Sequence, residues 1–194
     1  SITIGNISSG VVYGESGADT FNISGDARKA TIYGGGQNDS VVVGGTLSSG
    51  LLDGGAGADT FNLKTLTSST VKGGDGADLV SASALVTSGV LYGNSGNDSF
   101  VLDNNVTKTS VYGGVGNDSL TISGAANTVN YEGGSGADSI RVGGAINSST
   151  IYGDNAAAET GGADSVSIAG TASGSYIYGN LGDDSISVDG GVMA

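Results

Sequence analysis

Short apolar runs return along this chain at a fixed interval, always at the same distance from an Asp. Two and four positions after that Asp come Phe21 and Ile23, Val41 and Val43, Phe61 and Leu63, and Phe100 and Leu102. Leu120 and Ile122, Ile140 and Val142, Val166 and Ile168, and Ile186 and Val188 continue the series. Alternation of period two, mostly with Ser, Asn or Thr between, predicts half-buried β-strands. Another apolar column lies seven residues before the Asp: Val12, Ile32, Leu52, Val71, Leu91, Val111, Tyr131, Ile151 and Ile177. A fourth follows about eight residues after it: Ala27, Leu47, Leu66, Val86, Val106, Ala126, Ile146, Ala172 and Val192.

The Asp itself recurs as Asp19, Asp39, Asp59, Asp78, Asp98, Asp118, Asp138, Asp164 and Asp184, with gaps of 20, 20, 19, 20, 20, 20, 26 and 20. Each unit reads as two short strands and two turns. The one-residue deletion falls between Leu63 and Leu66, inside the second turn, where it leaves every column in register. Four inward columns at one period describe a solenoid, each repeat wrapping once and stacking on its neighbour. The predicted fold is all-β: a parallel β-solenoid (β-roll or β-helix) of about 20-residue coils, continuous over 1–194. Coils spaced by ~4.8 Å make a rod roughly 45 Å long.

Composition sharpens this. The chain has 194 residues, 38 Gly and no Pro. Pro is excluded where nearly every N–H pairs with the next coil, and tight corners call for Gly. Asn94 and Asn180 replace Gly in two corners and tolerate a left-handed backbone, whereas Glu15 fits its corner less well. Without Cys or His there is no thiolate site, disulfide or imidazole base. Nineteen acids against six bases give a net charge of −13, which argues against nucleic acid and anionic membranes. No apolar run is long enough to span a bilayer. Neither Ser1–Gly10 nor Gly190–Ala194 reads as a polar cap, so a segment of a larger protein is expected.

The turns Gly54-Gly55-Ala56-Gly57-Ala58-Asp59 and Gly113-Gly114-Val115-Gly116-Asn117-Asp118 match the pattern GGxGxDxUx. In this the chain resembles the RTX (repeats-in-toxin) calcium-binding β-roll family, over essentially its whole length. The resemblance implies Ca²⁺ between successive turns, held by Gly-rich carbonyls and by the nine Asp carboxylates named above. Such oxygen donors suit a hard cation. Unlike the family's usual nonapeptide array, the motif comes once per 20 residues, so calcium is expected along one edge only, up to about eight ions. Stacked carboxylates ~4.8 Å apart repel by roughly 0.9 kcal/mol per pair even in bulk water. Calcium would turn that repulsion into attraction, and without it the chain is expected to be largely unfolded. The alternative is a file of Asp capping its own corners through Asx-turn hydrogen bonds.

Other features compete for a role. Between Tyr152 and Asp164 six extra residues, within DNAAAETGGAD, read as an insertion tolerated at a turn or as a functional loop. Tyr13, Tyr33, Tyr92, Tyr112, Tyr152 and Tyr178 share a column interrupted by Asp53, Lys72 and Glu132, either a stabilising ladder or a strip for sugar rings. Outward corner residues such as Ser16/Ala18, Ala56/Ala58 and Val115/Asn117 are too irregular for an ice-binding array. Lys64, Lys72 and Lys108 do not cluster as a catalytic base near the metal would. The expectation is therefore a non-enzymatic, calcium-stabilised structural solenoid of a secreted or cell-surface bacterial protein, of surface-layer or adhesin type. The alternative is a polysaccharide-binding or secretion module of an extracellular enzyme. Candidate partners are calcium, copies of the chain in a lattice or fibre, and cell-surface polysaccharide.

Overall fold

The computed structural model describes residues 1–155 and 161–193. The chain winds as a parallel β-solenoid of about nine turns with coils of about 20 residues. Strands on successive coils pair in parallel with an offset of one repeat, as in Leu91↔Val111 and Val111↔Tyr131. Nine strands, from Gly10–Tyr13 to Tyr176–Tyr178, form one sheet, and the remaining strands form the opposite one. The shortened repeat works as expected: Val43 pairs with Leu63 and Thr46 with Thr65, so the register slips inside the second corner and nowhere else. The six-residue insertion likewise leaves pairing intact, with Ile140↔Val166 on its far side. The insertion's own residues 156–160 lie outside the described ones.

Most coils hold three strands where two were expected. The coil of Asp78, for example, runs Leu79–Ala82, Val86–Thr87 and then Val90–Ser95. The two-residue strand carries the fourth inward column, since Val86 is buried and Thr87 beside it faces outward. In two coils the first pair of strands fuses, as Ser40–Ser48 and Thr60–Thr67. The four apolar columns fill the space between the sheets, with Phe21, Phe61 and Phe100 among the largest buried side chains. At the terminal coil Ile186 and Val192 are exposed, because a column residue is covered only when coils flank it on both sides.

The second corner is built differently from the first. Lys29, Ser49, Ser68, Ser88, Lys108, Thr128 and Ser148 all sit there with φ between +48° and +56°. One left-handed residue per coil aligns in a file, yet only the eighth member, Gly174, is glycine. Beside it runs a fifth buried column with no uniform chemistry, including Ala30, Ser69, Thr109, Val129 and Ser149. Its hydroxyls close the corner: Ser69 Oγ accepts from Gly50 N (3.0 Å), and Ser149 Oγ accepts from Val129 N (3.0 Å).

At the first corner the glycines are needed for two reasons. Gly114 has φ +117°, and a methyl on it would overlap the Asn94 carbonyl of the preceding coil. Glu15 (φ +71°) and Gln37 (φ +71°) occupy corner positions that other coils give to glycine. Denaturant unfolding checks both corners. Gly114→Ala is expected to lose about 3 kcal/mol through combined clash and backbone strain. Thr128→Gly, which relieves a left-handed β-branched residue, is expected to gain about 1 kcal/mol.

Candidate metal-binding edge

The nine Asp predicted from the sequence do form one file at the first corner. Seven of them, Asp39, Asp59, Asp78, Asp98, Asp118, Asp138 and Asp164, are buried, with 1–3 % of their surface exposed. Asp19 and Asp184, on the end coils, are partly exposed. The Ser1 ammonium lies 3.6 Å from Asp19 Oδ1. Asp stands two places before an inward residue and so on the same face, and the extended geometry that buries Phe61 also turns Asp59 toward the interior.

Each carboxylate from Asp39 to Asp184 binds the coil before it, not its own corner. Asp39 Oδ1 accepts from Asp19 N at 2.7 Å, and Asp59 Oδ1 accepts from Asp39 N at 2.7 Å. The same bond recurs through Asp78, Asp98, Asp118, Asp138 and Asp164 to Asp184, at 2.7–3.0 Å. It crosses the insertion unbroken, since Asp138 N donates to Asp164 Oδ1 at 2.8 Å. This replaces the Asx-turn geometry, in which each Asp would cap its own backbone.

The second oxygen is in a different position. Oδ2 of all seven buried Asp has no hydrogen-bond partner. It rests against a buried glycine, five residues earlier except at Asp164, where the insertion makes it eleven (Gly153), and a methyl on Gly54 would overlap Asp59 Oδ2 while lying 2.5 Å from the Gly73 carbonyl oxygen. Gly34, Gly93, Gly113, Gly133 and Gly153 repeat the pattern, each facing its own Asp Oδ2 and the carbonyl of the next coil's glycine. The first glycine of the motif is thus required by the Asp, a pairing that sequence spacing alone does not reveal.

Such burial works against ionisation. Desolvation raises the carboxyls of Asp39, Asp98 and Asp164 and pushes Asp59 and Asp118 up to about 6. Asp78 and Asp138 reach about 7, burial again first, with repulsion from neighbouring Asp adding to it. The bond from the preceding coil's N–H opposes this rise at each position without cancelling it. A file of buried carboxylates with one orphaned oxygen each needs protons or cations.

Among the described residues no three Asp, Glu, His or Cys side chains converge as a metal cluster. A cation at this edge therefore draws on backbone carbonyls as well as carboxylates. The donor set, one unpartnered Oδ2 and glycine carbonyls from adjacent coils, is all oxygen and fits a hard divalent ion.

Two further groups join this edge without having been anticipated. Asp154 is fully buried at a corner position held by glycine in most coils, in register with Gly134. Its carboxylate accepts from Gly162 N (3.2 Å) and Leu181 N (3.1 Å), and so ties the base of the insertion to the following coil. Tyr131 is the second, a buried phenol in an otherwise aliphatic column. The outward tyrosines, by contrast, stack on one another: Tyr13 on Tyr33 at 5.2 Å, Tyr92 on Tyr112 at 5.1 Å and Tyr152 on Tyr178 at 5.2 Å. With interplanar angles of 11–12°, each ring turns one face to its stacked neighbour.

A family profile described as the RTX calcium-binding nonapeptide repeat (four copies) matches residues 22–45, 51–63 and 90–104. No curated protein and no solved structure matches the chain. The matched stretches contain the corners of Asp39, Asp59 and Asp98, and the unbroken inter-coil ladder extends the same geometry to the other coils. Those three stretches are similar to the RTX calcium-binding repeat, and they lie within one continuous parallel β-solenoid.

Proposed function

We propose that the chain is a calcium-stiffened, non-catalytic rod within a secreted or cell-surface protein, of surface-layer or adhesin type. The observation that carries this reading is the file of seven buried Asp whose Oδ2 atoms lack any partner. Asp19, Asp39, Asp59, Asp78, Asp98, Asp118, Asp138, Asp164 and Asp184 supply the carboxylates, with carbonyls of the corner glycines beside them. One ion per inter-coil gap gives up to about eight. Calcium supplies fixed positive charge where buried carboxylates face one another. The protein's own contribution is to hold Oδ1 in the inter-coil hydrogen bond, leaving Oδ2 free, and to keep the facing position clear of any Cβ.

Extracellular placement follows from the same dependence. Modules of this kind bind calcium at ~10⁻⁴–10⁻³ M, a level met outside cells and not in cytoplasm. Such a chain stays open until exported and then folds, because the binding free energy is folding free energy. The mutual stacking of the outward tyrosines supports a structural ladder over a sugar-binding strip, as a sugar needs an uncovered ring face.

Asp118→Asn separates the charge from the shape. The variant is expected to lose one or two bound ions per chain in equilibrium dialysis against calcium. In chelator it should be more stable than the parent, since one buried charge is gone. Unchanged stoichiometry would remove Asp118 from the site.

Acid provides a second check. Burial raises the pKa of the file, so without calcium the folded state holds protons more tightly than the open chain. That stability is present in full below pH ~4 and is lost as pH rises through 6–7, where Asp59, Asp118, Asp78 and Asp138 ionise. In chelator a cooperative thermal unfolding transition should therefore be seen at pH 4.5 and be lost by pH 8. In saturating calcium the order should reverse, because protons displace the ion.

A further inference from the structure

Tyr131 breaks the chemistry of its column. Its register partners are Val111 and Ile151, and most other members of the column are aliphatic residues buried in the core. The ring is fully buried, and its hydroxyl has no hydrogen-bond partner. A phenol in such a place normally reaches an acceptor, because an orphaned hydroxyl opposes folding.

An unpartnered oxygen of the Asp file stands next along the same inward face. Tyr131 and Gly133 stand two residues apart on one strand, Asn130–Ser135, and both face inward. A methyl on Gly133 would overlap Asp138 Oδ2 and the Gly153 carbonyl oxygen. The phenol therefore stands next along the inward face from the spot where Asp138 presents its unpartnered oxygen. Burial above all, and after it the nearby charges of Asp138, Asp118 and Asp164, hold its proton well above the ordinary tyrosine range. A hydroxyl that keeps its proton beside charged carboxylates is a hydrogen-bond donor.

We propose that Tyr131 is a positioning residue of the inter-coil cation site at Asp138, its hydroxyl donating to the Asp138 carboxylate when that carboxylate binds a divalent cation. This rests on the calcium reading of the file and adds to it a local difference between otherwise equivalent gaps. The column offers no comparable donor at its other buried positions, where Ile32, Leu52, Val71, Leu91, Val111 and Ile151 stand. Outer groups that orient a ligating side chain typically account for a 10–100-fold change in metal affinity. One ion of the set is thereby held more tightly than its neighbours.

The test compares the parent chain with Tyr131→Phe and with Tyr131→Leu, the latter carrying the column's usual residue type. Calcium alone is the probe, followed by equilibrium binding, far-ultraviolet circular dichroism and tyrosine difference absorbance near the 280 nm band. In the parent, calcium is expected to shift the absorbance of one buried tyrosine. In both variants that shift should vanish while β content in saturating calcium stays the same. One ion per chain should bind about tenfold more weakly, the rest unchanged. In chelator at pH 4.5 the Phe variant should unfold at a higher temperature than the parent, the opposite direction from its effect on binding. If the parent binds calcium with no tyrosine shift and Tyr131→Phe binds identically, the role of Tyr131 is overturned and the calcium reading stands. If the parent and both variants bind no calcium, the calcium reading itself falls.

Discussion

The structure depends on one contact repeated along its length: an Asp that reaches into the gap between two coils and leaves half of its carboxylate unmatched there. Oδ1 is committed to the N–H of the preceding Asp. Oδ2 is buried against a glycine with no donor in reach. A single such oxygen would be a defect. Seven in a row amount to a charge distribution that the apolar core cannot neutralise, and it lies where the coils must be closest. The glycines of the first corner and part of the chain's acidity follow from accommodating that file, and the absence of Pro follows from the N–H pairing that stacks the coils.

Much of this was legible in the residues. The period fixed the coil length, and the spacing of Phe61, Leu63, Leu66 and Leu52 about Asp59 located the inward columns. The deletion after Leu63 was placed in the correct corner because every column stayed in phase across it. What escaped was chemistry that leaves no uniform residue type. The fifth column mixes Ala30, Ser69, Thr109 and Val129, since the corner needs only something small enough to fit or able to accept one N–H. The third strand is two residues long, too short for alternation to show.

The two corners illustrate why glycine counts alone mislead. At the first, Gly114 is dictated by close approach of the Asn94 carbonyl as well as by its φ of +117°. At the second, φ near +50° is reached by Lys, Ser and Thr, and a methyl on Gly174 of the same file would meet nothing nearer than 3.9 Å. The Asp file itself was found from spacing, but its inward orientation and its glycine partner were not. A turn Asp ordinarily points to solvent or to its own backbone. Only stacking gives it the N–H of the previous coil.

Unmatched charge at every gap makes the cation part of the fold. The most direct test is far-ultraviolet circular dichroism at pH 8 during titration with calcium and reversal with EDTA, with bound metal counted in the same samples. A cooperative gain of β signal as several ions bind per chain, lost again on chelation, is the predicted result. A chain that kept its full β signal after exhaustive chelation, with no metal remaining, would contradict the account.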